Sequence, residues 1–570
     1  MTESKNQASL LPTIDLLGAA PLLGDAAAHA RRAFDFVWAT GSGMDVLGAA
    51  LMPRARDLAG PSTFEPSVFA RDLFIAELSR RCLPVTAEGR SRSIDHARLE
   101  SVLAAPPRDP EVVAQRRAVL RDLAAEGGTR AAAEAFYART RELRDALESR
   151  GASRDRAAEQ LRRIEVLHAL RRSVEALARG FEAADSALSD LSGWARDVEA
   201  SDAFARLRDL LAWESGASTV ELSMRVGADG TVRGVTLLAR RDLAHPTGES
   251  ALARLVRRFV RVLRGERWDE RELLARLIDE VMEGLVDAAI ATLRASLDLE
   301  PHLASLGLRD RARRFGLDAC LPSIVTRSDA AGLHFEDLYN PFLLADAVAK
   351  ETRPPVACDL SLGGSSPVAV VTGPNSGGKT RLLQSVGVAV LLGQGGFFVP
   401  ARAAQIAWTP AIFASLAQPA THDAPEGRLG TELLRVREVF ERARPGCLVL
   451  LDELCAGTNP SEAEELVRFV LAELGEVNAS AIVTTHLLDV AQRLQSDPPT
   501  KQLAFRRVDL DGDERPTYRF ADGVAESSLA RRTAERLGVT RDALARIVRD
   551  RRERAEPEPR TLPNDLARRG

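Results

Sequence analysis

Hydrophobic positions follow two different rhythms along this chain. From Pro110 to Leu123 the positions Val112, Val113, Arg116, Val119, Leu120 and Leu123 keep helical spacing, and Asp109 followed by Pro110 supplies an N-cap and a first-turn proline. Between about residues 128 and 213 Ala, Arg, Glu and Leu repeat with few breakers apart from Gly151, Gly180 and Gly193, which predicts long helices packed in pairs. From Thr219 to Arg240 the rhythm changes, and two β-rich runs flank Gly227-Ala-Asp-Gly230, the pattern of a hairpin with an Asp-Gly turn. Helical patterning resumes through Leu273 to Leu306 and re-enters a core near Leu308 to Leu321. Further on, Val368 to Val371, Cys447 to Leu451 and Ala481 to Thr485 are short unbroken apolar runs, the pattern of buried parallel strands.

Composition narrows the picture. A chain of 570 residues is long enough for three or four domains with substantial cores. Lys and Arg total 77 against 81 Asp and Glu, a net charge of −4, so any nucleic-acid surface has to be local. Only Lys5, Lys350, Lys379 and Lys501 are lysines, and the Ala/Arg bias is that of a GC-rich genome. The stripe Arg254, Arg257, Arg258, Arg261 and Arg264 shares one helical face. It suits phosphate contacts and, equally, a solvated face in an Arg-rich chain. Five scattered cysteines, Cys82, Cys320, Cys358, Cys447 and Cys455, have no metal-ligand spacing and fit a reducing compartment. The N-terminus lacks the layout of a secretion signal, and no apolar run approaches the roughly twenty residues that cross a bilayer. The expectation is a soluble, cytoplasmic protein.

The candidate chemistry sits at the strand ends. The first run leads directly into Gly373-Pro374-Asn375-Ser376-Gly377-Gly378-Lys379-Thr380, a G-x-x-x-x-G-K-T phosphate loop in which backbone N–H groups and a helix N-terminus converge on an anion. Lys379 is placed to reach the β/γ-phosphates and Thr380 to ligate Mg²⁺. The second run ends in Asp452 and Glu453; in such a fold the Asp holds the Mg²⁺ shell and the Glu orients the attacking water as general base. His486, ending the third run, is a candidate γ-phosphate sensor, although a lone histidine is often structural.

These stretches, together with Gly393 to Ile406 (GQGGFFVPARAAQI), Leu450 to Leu466 (LLDELCAGTNPSEAEEL) and Thr484-Thr-His486, resemble the ATPase domain of MutS-type proteins. The Ala-Gly-Thr-Asn-Pro segment is closer to the branch that does not recognise mismatches. Pro61 to about Gly127 resembles the start of the family's helical core, and Thr517 to Ile547 its final strand and helical dimerisation segment. The resemblance implies an α/β P-loop ATPase domain of ABC type, C-terminal to a mainly α-helical core or lever with a clamp-like helical arm. The expected organisation is an N-terminal cap over residues 1–55, helical core over 56–127 and a hairpin-bearing arm over 128–305. A helical return follows over 306–335, then the ATPase domain over 336–530 and a dimerisation segment with tail over 531–570. The resemblance also implies ATP and Mg²⁺ as ligands, a homodimer, and DNA, duplex or branched, as partner. Phe335 and Tyr339 are candidates to face adenine, and both suit plain core positions.

Two departures stand out. Residues 1–55 are too short for a mismatch reader and connector. In place of the family's Gly-x-Ser-Thr-Phe signature, which completes a neighbouring subunit's site, stands Glu426-Gly-Arg-Leu-Gly-Thr-Glu432, leaving Thr431 or Arg428 as substitutes. The tail from Arg551 is charged and Pro-containing, hence expected to be disordered, and no nuclease domain fits in it. Two functions follow: an ATP-switched clamp on DNA in repair or recombination, and an ATP-driven switch acting on a protein or ribosomal RNA.

Overall fold

A computed structural model describes residues 16–17, 24–51, 62–149, 156–214, 218–226, 232–242, 270–326, 332–363, 367–416, 427–455, 457–526, 534–535 and 537–555. Arg254, Arg257, Arg258, Arg261 and Arg264 lie outside these residues, as does the expected Asp-Gly turn.

The N-terminal half is helical because its apolar residues recur at helical spacing and its caps are in place. Asp109, for instance, accepts a hydrogen bond from Glu111 N at 2.8 Å, opening the helix Pro110–Ala124. Gly24–Thr40 and Met44–Leu51 pack with Thr129–Glu148, and the first of them also meets the helix Val286–Arg314. That last helix is the axis of the region: from Ala288 to Leu308 every residue is buried, polar ones included.

Its buried charges are paired, as burial requires. Arg98 from the neighbouring helix His96–Ala104 meets Asp298, and Tyr137 Oη donates to Glu300 Oε1 at 2.9 Å. Burial raises the Glu300 pKa, opposed by Arg98 and that hydrogen bond. His302, whose Nδ1 lies 3.0 Å from the Asp298 carbonyl, is pushed down to about 3 by burial. It therefore stays neutral in the fold while the unfolded chain takes up a proton near pH 6.5. Stability is consequently lost as pH falls below that point, by about 1.4 kcal/mol per pH unit until the folded group titrates. His302→Leu is expected to shrink the fall in melting temperature between pH 7 and pH 5; an undiminished fall would reject His302 as a source of acid sensitivity.

Beyond the helices Asp202–Glu214 and Glu270–Glu283 the chain projects an antiparallel hairpin, β3 (Ser218–Val226) against β4 (Val232–Asp242); a small earlier hairpin pairs β1 (Val85–Ala87) with β2 (Arg90–Arg92). The pairing of β3 with β4 is the one the alternation predicts, and its base meets those two helices.

Two sheets build the C-terminal half. The first joins β5 (Ser323–Val325), β6 (Gly332–Leu338), β7 (Cys358–Gly363) and β9 (Ala403–Ala407) in the order β5-β9-β6-β7. The second runs β10-β11-β12-β8-β13-β14, where β8 is Val368–Thr372, β10 Ile412–Ser415, β11 Leu448–Leu451, β12 Ser480–Thr485, β13 Leu503–Leu510 and β14 Pro516–Asp522. Its strands β10, β11, β12, β8 and β13 are parallel, and the three apolar runs β8, β11 and β12 are buried throughout, as strands covered on both faces must be.

The structure corrects two boundaries. Within the stretch expected to be a helical return, Ser323–Val325 and the start of Gly332–Leu338 are strands, because the first finds a parallel partner in Gln405–Ala407 and the second pairs with β7 and β9. The last helix, Arg541–Ala555, continues past Arg551, where disorder was expected; its Arg, Glu and Ala residues are good helix formers and the first breaker is Pro557.

Candidate functional site

The site forms where β8, at the centre of the six-stranded sheet, ends and the helix Lys379–Gln394 begins. Between them Gly373 to Gly378 turn the backbone through two left-handed positions, Gly373 (φ 144°) and Gly378 (φ 88°). A Cβ on Gly373 would come within 2.6 Å of Val508 Cγ2, so only glycine lets the loop pass this close to β13. Lys379 is 4% exposed and folds back on the loop, its Nζ donating to the carbonyls of Gly373 at 2.8 Å and Pro374 at 3.0 Å. Burial lowers its pKa, with Glu453 and Asp452 acting in the opposite direction.

One chain of hydrogen bonds ties three of the predicted strand ends together. Thr380 Oγ1 donates to Asp452 Oδ2 at 2.6 Å, and Thr484 Oγ1 donates to Asp452 Oδ1 at 2.6 Å. Thr484 Oγ1 in turn accepts from Glu453 N at 2.8 Å, and Asp452 N donates to Ser415 O, the end of β10, at 2.9 Å. Glu453 has φ 53°, a left-handed position that turns the chain sharply off β11. Its Oε1 lies 4.0 Å from His486 Nδ1, beyond hydrogen-bonding distance. The predicted Gly373 to Thr380, Asp452, Glu453 and His486 thus meet at one edge of the sheet.

Thr484 was not singled out by its sequence pattern, being one of two threonines closing an apolar strand. Thr484→Val should leave a buried Asp452 oxygen and the Glu453 amide unpaired, at a cost of about 1–3 kcal/mol. A drop of several degrees in melting temperature is the expected reading, and an unchanged melting temperature would contradict this role.

A cavity of about 850 Å³ opens beside the loop. Asn375, Ser376 and Lys379 to Leu382 form one side; Tyr339, Val356, Tyr518 and Phe520 stand among the others. Of the two aromatics named from the sequence, Tyr339 reaches this wall, whereas Phe335 is a buried strand residue outside it. Tyr518, 48% exposed and left-handed at φ 61°, sits near the irregular end of the β13–β14 ladder and stands 3.4 Å from where a Cβ of Gly378 would be. Its place over the loop depends on a β-bulge that spacing alone does not reveal.

The segment expected to act on a neighbouring subunit is helical from Gly427, within Gly427–Arg442; the Arg428 side chain lies outside the described residues. Glu432 on this helix has its Oε1 accept from Cys455 N at 2.7 Å, fastening the helix to the turn that follows Asp452 and Glu453.

A magnesium ion is bound by hard oxygen ligands and keeps several of its own waters. The Thr380 hydroxyl and the Asp452 carboxylate, in contact with one another at the loop, are oxygens of that kind.

The sequence model of MutS domain V matches residues 369–552. Among curated proteins, the endonuclease MutS2 of Thermomicrobium roseum is 30% identical over 304 residues, covering 52% of this chain and 35% of that protein. The endonuclease MutS2 of Thermus thermophilus is 33% identical over 290 residues, 50% of this chain and 36% of the relative. That of Streptococcus uberis is 34% identical over 188 residues, 32% and 24% of the two chains. The matched part of the chain thus spans about a third or less of the length of these relatives. The phosphate loop, the Asp452-Glu453 strand end and the domain match thus fall on the same residues: residues 369–552 match MutS domain V, and the chain is similar over that part to MutS2 proteins.

Proposed function

We propose that this chain binds ATP with Mg²⁺ in the cleft beside Gly373 to Thr380, hydrolyses it, and uses the cycle to switch a helical arm that engages duplex or branched DNA. The observation that carries the nucleotide half is the hydrogen-bonded chain Thr380–Asp452–Thr484–Glu453. The phosphates meet the backbone N–H groups of the loop and the positive end of the helix it opens. Lys379 exchanges its two carbonyl partners for phosphate oxygens, neutral acceptors for charged ones. Thr380 and Asp452 would hold the magnesium, which would supply charge neutralisation at the phosphates. Glu453, held at its amide by Thr484, takes a proton from the attacking water. His486 lies beside it as a γ-phosphate contact, and Tyr339, Val356 and Tyr518 give the base apolar surface. Mg²⁺-dependent ATP hydrolysis by the purified chain tests this half, and a chain that neither binds nor turns over ATP rejects it.

The switching half rests on a packed connection. After the phosphate-loop helix, Phe398 N donates to Ser305 Oγ at 2.9 Å, Phe397 meets His302 edge-on at 6.1 Å, and Arg309 lies over Phe398 at 5.2 Å. All three partners belong to the helix Val286–Arg314, which follows directly on Glu270–Glu283, the helix at the base of the β3–β4 hairpin. A nucleotide that favours one position of the phosphate-loop helix therefore biases the arm. The relatives are named endonucleases, which favours a nucleic acid as the arm's target, and Arg254, Arg257, Arg258, Arg261 and Arg264 would supply phosphate contacts. The exposed Leu544, Ile547 and Val548 of the helix Arg541–Ala555 suit a second copy of the chain.

A further inference from the structure

Three consecutive residues of the N-terminal helical region, Asp72-Leu73-Phe74, each touch a different part of the nucleotide site. Asp72 is buried; its Oδ1 accepts from Leu416 N at 3.1 Å and lies 3.6 Å from Arg435 Nη1. Leu416 directly follows Ser415, whose carbonyl holds the amide of Asp452, so Asp72 fixes the chain beside the metal-binding carboxylate. Leu73, fully buried, packs on the phosphate-loop helix: a Cβ on Gly387 would approach Leu73 Cδ2 to 2.6 Å, and only glycine admits this contact. Phe74 then reaches the 850 Å³ cavity itself, sharing its wall with Lys379, Thr380 and Leu416.

Phe74 is an unusual residue on both local and packing grounds. It is 40% exposed, although a phenyl ring gains most from burial. Its backbone, at φ 55° and ψ 48°, is left-handed, a conformation that bulky L-residues avoid. The surrounding chain enforces it: Ile75 N bonds to Ala70 O at 3.0 Å and Leu78 N to Phe74 O at 2.8 Å, and the π-helix Leu78–Cys82 follows after the single turn Ile75–Glu77. The ring has an edge-on neighbour in Phe342 at 6.3 Å, leaving the rest of its surface toward the cleft. A strained aromatic beside a π-helical turn, facing a cavity, is the pattern in which strain is retained for a function.

We propose that Phe74 contacts the bound nucleotide, and that Asp72-Leu73-Phe74 is the point at which the helical region senses whether the site is filled. This rests on the ATP-binding reading above. A nucleotide in the cleft covers the exposed ring, and this gain is available only while Phe74 keeps its left-handed turn. The ligand thus has different affinities for the turned and relaxed forms of the segment, which is what a ligand-driven shift requires. Because Asp72 and Leu73 share that turn, the shift passes to the end of β10 and to the phosphate-loop helix together.

Phe74→Gly and Phe74→Trp in the full chain test the proposal. Glycine adopts φ 55° without strain but gives up the packing of the ring on Phe342, so melting without nucleotide is followed to show that the variant is folded, and its ATP affinity should fall about tenfold. In Phe74→Trp, saturating Mg²⁺-ATP should change tryptophan emission beyond any change in the unaltered chain with its five tryptophans. Phe74→Gly binding ATP as the unaltered chain does would overturn the proposal, whether or not its melting temperature falls. If the glycine variant does not fold, unchanged emission in Phe74→Trp overturns it alone. An unaltered chain that binds no ATP overturns the nucleotide reading as well, so the two failures are told apart.

Discussion

Glu453→Gln lowers ATP turnover by about 10²–10⁴-fold, the usual worth of a positioned general base, and leaves ATP affinity nearly unchanged. The division of labour in the site gives this split. In the proposed site the phosphate contacts fall to the loop 373–378 and Lys379, and the cation donors would be Thr380 and Asp452, which are hydrogen-bonded to one another. Glu453 is attached to this network through its backbone amide rather than its carboxylate, whose Oε1 stands 4.0 Å from His486 Nδ1. Replacing the carboxylate by an amide keeps the left-handed turn and the Thr484 contact while removing the base. Turnover and nucleotide affinity measured on one preparation check it. A variant as fast as the unaltered chain would remove Glu453 from the mechanism.

Lys379→Ala acts on the other parameter. Lys379 is 4% exposed, and its ammonium has the carbonyls of Gly373 and Pro374 as hydrogen-bond acceptors. Burial disfavours that charge; phosphate oxygens would compensate it far better than carbonyls do. Charge-assisted bonds to two phosphates lost together should weaken ATP binding by about 100-fold or more. The fold should be little affected, since removal also relieves a desolvated charge. Equilibrium titration with ATP, alongside thermal melting without it, separates the two effects; unaltered ATP affinity would contradict the assignment of the loop.

Much of this site is legible in the sequence because its parts are local. A buried β-branched run, a glycine loop and a lysine-threonine pair are contiguous in the chain, and so are an apolar strand and its two terminal carboxylates. The Asp109-Pro110 helix start is visible for the same reason. What stays hidden depends on partners far apart in sequence. Arg116 falls at an apolar position of its helix, yet it is an arginine because its guanidinium bonds to the carbonyls of Leu17 at 2.8 Å and Gly395 at 2.9 Å. Thr484 differs from Thr485 only in the carboxylate it meets. Phe74, Val356 and Tyr518 come to one cavity from three segments, all of them outside the phosphate loop. The β5 and β6 strands were hidden because short strands of mixed polarity acquire their identity from the partner β9.

The central claim is that occupancy of the nucleotide site governs engagement of DNA by the arm. Its most direct test is the affinity of the purified chain for duplex and four-way-junction DNA, titrated over salt with and without ATP, beside Lys379→Ala. The account predicts salt-dependent binding whose strength changes with ATP in the unaltered chain and stays constant in the variant. ATP binding with no DNA binding at low salt would contradict it, and would turn the search toward a protein or RNA partner for the same switch.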